Sequence, residues 1–69
     1  MTVHDALRAV VREQKNGYAI TYAKHALTMC HGEGLQRQIL YVLDNLGGWR
    51  GDRAREVKAV LRVYSKGGL

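Results

Sequence analysis

The sequence predicts an all-α protein, a compact bundle of four short helices. Apolar residues recur at three- and four-residue spacing through four segments, glycine clusters separate those segments, and no proline occurs anywhere. Sixty-nine residues are expected to form a single domain, 1–69. A core that small is marginal, and small scaffolds often draw extra stability from disulfides, a metal or a partner subunit. A lone cysteine, Cys30, excludes an internal disulfide, which leaves self-association open.

The first helix is expected from about Thr2 to Lys15. Thr2 is placed to cap its free backbone N–H groups, with Asp5 three residues later beside the positive helix end. Val3, Ala6, Leu7, Val10 and Val11 form one apolar stripe, with His4, Arg8 and Arg12 on the other side. Asn16-Gly17 follows and is expected to end the helix in a left-handed conformation.

A second helix is expected from about Tyr18 to His31. Ala19, Ile20, Tyr22, Ala23, Ala26, Leu27 and Cys30 cover more than half its circumference, leaving Thr21, Lys24 and Thr28 on a narrow wet side. So broad an apolar arc predicts a central helix, and its small residues let neighbours come close. The short Gly32-Glu33-Gly34 connection then leads into a third helix, about Leu35 to Leu46, antiparallel to the second or sharply angled from it. Leu35, Ile39, Val42, Leu43 and Leu46 form its core stripe, while Leu40 and Tyr41 fall outside it. After Gly47-Gly48-Trp49-Arg50-Gly51, a fourth helix capped by Gly51 or Asp52 continues to about Ser65, with Ala54, Val57, Val60, Leu61 and Tyr64 inward. The Lys66-Gly67-Gly68-Leu69 tail is expected to fray.

Eleven Lys and Arg oppose six Asp and Glu, a formal charge of +5 that favours polyanions. Most of the excess lies after Gly47, where Arg50, Arg53, Arg55, Lys58, Arg62 and Lys66 face only Asp52 and Glu56. On a helical wheel Arg55, Lys58, Arg62 and Lys66 fall within about 80° of arc, beside the apolar face. Such a ridge can follow a phosphate backbone. It is also what a solvated helix face looks like, with long stems covering the core edge and charges suiting the C-terminal dipole.

The loop bears on the same question. Leu46, Gly48, Trp49 and Ala54 occupy the leucine, first glycine, apolar and alanine positions of a pattern, so that Leu46–Val57 resembles the helix-hairpin-helix family. Gly47 stands where that family has proline and Arg50 where it has its second glycine. The resemblance implies binding of a DNA backbone without base readout, through hairpin N–H groups near a helix N-terminus. Gly48-Trp49-Arg50-Gly51 also fits the bare glycine-x-x-glycine loop of KH-type RNA modules, but those need flanking strands that this sequence does not predict. The stretch from Tyr18 through Tyr22-Ala23-Lys24, Gln38-Ile39-Leu40-Tyr41 and Asn45-Leu46 to Trp49-Arg50-Gly51 resembles small helical proteins of bacteriophage and prophage genomes, which implies an origin more than a mechanism.

Catalysis and metal binding find little support. Cys30, His31 and Glu33 lie together with His25 upstream, but neighbouring side chains on a helix diverge by 100°, and Cys30 falls in the apolar arc as a small core residue. Paired carboxylates, a phosphate-binding loop with its lysine and a serine elbow are all missing, so neither an enzyme nor a cofactor is expected. The first residues lack the form of a secretory signal, and the longest apolar run, Ile39 to Leu43, is far too short to span a bilayer, so a cytoplasmic location without membrane association is expected.

Two functions compete. One is a small non-enzymatic nucleic-acid-binding protein that contacts DNA or RNA backbone through the 47–51 loop and the basic last helix, using Arg50, Arg53, Arg55, Lys58, Arg62 and Lys66. The other is a protein-interaction module or small homodimer, of phage origin and acting on a host protein, through Leu40, Tyr41, Trp49 and Val63. Trp49, a large aromatic between glycines, is expected first of all to anchor the turn by packing beneath it.

Overall fold

Thr2 begins the first helix in the computed structural model, which describes residues 1–29 and 31–67. Its hydroxyl accepts from the Asp5 N–H at 3.0 Å, and the Asp5 carboxylate accepts from the Thr2 N–H at 3.1 Å, a reciprocal capping box. The helix α1 covers Val3–Glu13 and buries Val3, Ala6, Leu7, Ala9 and Val10 along one stripe. Three more follow: α2 at Gly17–Ala26, α3 at Glu33–Asp44 and α4 at Asp52–Ser65. The expected all-α bundle of four short helices is what the chain forms, and no strand occurs among the described residues.

Three local expectations need correction. Asn16-Gly17 does not end α1 in a left-handed conformation. The cap of α1 is Gln14 in extended geometry, and Asn16 caps the next helix, its Oδ1 accepting from the N–H groups of Tyr18 at 2.9 Å and Ala19 at 3.3 Å. Nor does α2 reach His31. After Ala26 the Thr28 and Met29 N–H groups bond three residues back, to His25 and Ala26, and the Thr28 hydroxyl donates to the His25 carbonyl at 2.6 Å. A side chain that competes for backbone partners in this way closes the helix in a tight turn. Cys30, read from the sequence as a core residue of that helix, lies outside the described residues, as do Gly68 and Leu69 of the expected frayed tail.

The third correction is architectural. Each helix packs against two neighbours in the cyclic order α1–α2–α3–α4, and the diagonal pairs make no close backbone approach, so α2 is not central. Its broad arc is only partly buried. Ala19, Ala23 and Ala26 are fully covered, but Ile20 and Tyr22 are intermediate. What α2 gives the core is closeness, while bulk comes from the others: Leu7, Val10, Leu35, Ile39, Val42, Leu46, Val57 and Leu61 are the largest fully buried side chains. Gln38, expected from no pattern, is also buried, and its Nε2 donates to the Tyr22 carbonyl at 3.4 Å, tying α3 to α2.

Helices α3 and α4 run antiparallel. At one end Gly32 N–H donates to the Tyr64 hydroxyl at 3.0 Å and Gln36 Nε2 to the Tyr64 carbonyl at 3.4 Å. At the other end the 45–51 connection joins the two helices. Gly32 and Gly51, the residues preceding α3 and α4, have φ of 144° and 106°, values that favour glycine. Among the described residues no helix is long and apolar enough to cross a membrane.

Candidate nucleic-acid interface

Gly47, Trp49, Arg50 and Gly51 of the loop and one side of α4 from Ala54 to Arg62 line an open groove of about 390 Å³. Four cations line it: Arg50 from the loop, and Arg55, Lys58 and Arg62 from α4. Helical spacing explains the last three, since residues three, four and seven apart share one side of a helix. Gly47, Gly51, Ala54 and Trp49 complete the lining. No carboxylate is among the lining residues, so the charged side chains of the lining are all positive.

Each cation is held differently. Lys58 Nζ donates to the Trp49 carbonyl at 2.5 Å, fastening the loop to α4. Arg55 meets Asp52 at 3.0 Å, but those side chains are 81% and 100% exposed. A pair that open contributes about 0–1 kcal/mol. Arg50 and Arg62 have no carboxylate within salt-bridge distance among the described residues.

Trp49 has two environments. It packs against the hydrophobic core as a partly buried residue, as its anchoring role predicts, and it also lines the groove. Trp49 therefore stands between the core and the four cations of the groove.

Two of the six cations singled out in the sequence lie elsewhere. Arg53 points to the α1 side of α4, where its Nε meets Glu13 at 2.9 Å and its NH1 meets Glu56 at 3.4 Å. The hydrogen bond to Glu13 holds its guanidinium pKa above the ordinary value. Arg53 therefore ties α1 to α4. Lys66 is the exposed cap residue ending α4 and is not part of the groove wall.

Leu40, Tyr41, Trp49 and Val63, grouped as partner-binding candidates, do not share one patch. Leu40, Tyr41 and Val63 are 46%, 45% and 50% exposed. Leu40 is four residues after Gln36 and shares the side of α3 that faces α4. Tyr41 lies towards α2, its ring centroid 5.7 Å from that of Tyr22. Val63 projects from the outer side of α4, beyond the basic ridge.

One cluster was not visible in the sequence. His31, grouped there with Cys30, Glu33 and His25, instead lies against His4 at a ring-centroid distance of 5.2 Å and against Tyr64 at 5.6 Å. His4 Nε2 donates to the Met29 carbonyl at 3.3 Å. These contacts join the start of α1, the α2–α3 connection and the end of α4, residues far apart in the chain with no shared periodicity. No group of three or more metal-ligating side chains converges among the described residues.

The chain matches no known protein family, no characterised protein and no solved structure, so a functional reading rests on the groove itself.

Proposed function

We propose that this is a small non-enzymatic nucleic-acid-binding protein whose groove between the 47–51 loop and α4 takes the phosphate backbone of DNA or RNA. The observation that supports it most is the convergence of Arg50, Arg55, Lys58 and Arg62 on one concave surface without a lining carboxylate. The loop also precedes the N-terminus of a long helix, where backbone N–H groups and the helix dipole favour negative charge. Contacts of this kind position a protein on nucleic acid without reading its sequence.

The test is a salt-resolved titration against random-sequence duplex DNA. Four phosphate contacts give a slope of log K against log salt of about −3 to −4. Changing Arg55, Lys58 and Arg62 together to glutamine should abolish binding while leaving the helical circular dichroism intact. Absence of binding to duplex and single-stranded DNA alike at low ionic strength rejects the proposal.

A second reading, a protein-interaction module or homodimer of phage origin acting on a host protein, draws on the exposure of Leu40, Tyr41 and Val63. Its signature is different: association that tolerates salt and appears as a dimer in sedimentation.

A further inference from the structure

We infer that the groove selects single-stranded over double-stranded nucleic acid, seating one base against Trp49 while the neighbouring phosphates meet the cations of α4. This inference rests on the phosphate-backbone reading above and narrows it.

A purely electrostatic surface requires only cations, yet this one has a tryptophan in its wall. Bases in a duplex are stacked on each other and have no free face for an indole ring. A single strand has, and stacking on an aromatic side chain is tolerant of base identity because every base presents a π-face. The Trp49 side chain packs on the core, and Lys58 fastens its backbone by donating to the carbonyl. A ring already fixed loses little freedom on binding.

A concavity of about 390 Å³ is at the small end of the range for small-molecule pockets, a size that suits one nucleotide. Arg55 and Arg62 are two helical turns apart, about 10 Å along the α4 axis, so phosphates on either side of the seated base have separate partners.

Trp49 is the only tryptophan in the chain, so its fluorescence reports on the groove without labelling. Three probes of equal length suffice: oligo(dT), an abasic deoxyribose-phosphate oligomer and a duplex. Oligo(dT) is expected to quench the fluorescence and to bind about 5- to 150-fold more tightly than the abasic oligomer, the range for one stacked base. The duplex is expected to bind more weakly and without quenching. Trp49→Phe should keep the preference for oligo(dT) over the abasic oligomer and Trp49→Leu should lose it. Because Trp49 also packs on the core, the wild-type quenching decides the matter if Trp49→Leu does not fold. Equal affinity for oligo(dT) and the abasic oligomer with unchanged fluorescence, or tighter binding of the duplex, overturns this inference and leaves the backbone reading standing. Failure of all three probes to bind at low salt overturns both.

Discussion

Lys58 reaches back from the second turn of α4 to donate its Nζ proton to the carbonyl of Trp49, nine residues earlier. The bond pins the loop that forms one wall of the groove to the helix that forms the other. The Lys58 stem is partly buried, so its methylenes also contribute packing. Lys58→Met keeps the stem and removes the donor. Its expected effect is a loss of about 1 kcal/mol in stability, the typical value of one hydrogen bond, together with faster amide exchange across residues 49–51. Unchanged exchange in the loop would show that Lys58 is not its fastener.

Arg53 and Arg55, two residues apart, face different tasks. Arg53 bridges Glu13 and Glu56, whereas Arg55 stands in the groove with only the fully exposed Asp52 beside it. Arg55→Gln is expected to reduce the magnitude of the salt slope of DNA binding by about 1. Arg53→Gln should leave that slope unchanged and lower the thermal midpoint, because it releases the end of α1 from α4. The reverse pattern would place the phosphate path on the α1 side of the last helix. Parallel salt titrations and thermal melts of the two variants supply both readouts.

That division between neighbouring arginines shows where sequence reasoning stops. Helical spacing put Arg55, Lys58 and Arg62 on one ridge, and chain proximity set the glycine loop near them. The partner of Arg53 lies 40 residues away, and no local pattern points to Glu13. The same limit applies to the fold. Apolar periodicity located all four helices, because each buries one stripe. It misjudged α2, whose apolar arc counts Tyr22 and Ile20, which stay partly in water beside three small, fully buried alanines. Asn16 was equally ambiguous, since an Asn-Gly pair is as good a cap for the helix that follows as a stop for the one before.

At the opposite end of the molecule, hydrogen bonding to Thr2, its backbone N–H foremost and its side chain next, holds the Asp5 carboxyl below its ordinary value of 3.8. A carboxylate whose pKa is depressed by folding stabilises the native state above the unfolded pKa. That contribution is lost as pH falls through the lower, folded pKa. Thr2→Ala removes the hydroxyl cap and is expected to cost about 1 kcal/mol at neutral pH. Asp5→Asn should flatten the acid limb of the stability curve below about pH 4 without altering its shape near neutrality. Urea unfolding at a series of pH values measures both. An acid limb as steep in Asp5→Asn as in the wild type would assign acid sensitivity to other carboxylates.

The glycines of the loop are not equivalent. Gly51 caps α4 at φ 106° and ψ 174°, a region that residues with a Cβ rarely enter, and its carbonyl accepts the Arg55 N–H at 3.0 Å. Gly51→Ala is therefore expected to cost about 1–3 kcal/mol although open space surrounds the added methyl. Gly47 does not have positive φ, and a Cβ there likewise meets nothing within 4 Å. Gly47→Ala should be neutral or stabilise by about 0.4–1 kcal/mol through the unfolded chain. Gly47 lines the groove all the same, so its methyl stands where a ligand approaching the loop backbone would pass. A Gly47→Ala protein with undiminished stability and weakened nucleic-acid binding would separate the loop's role in recognition from its role in folding. If binding also stays at the wild-type level, the phosphates follow the α4 side chains alone and the backbone of the loop does not touch them.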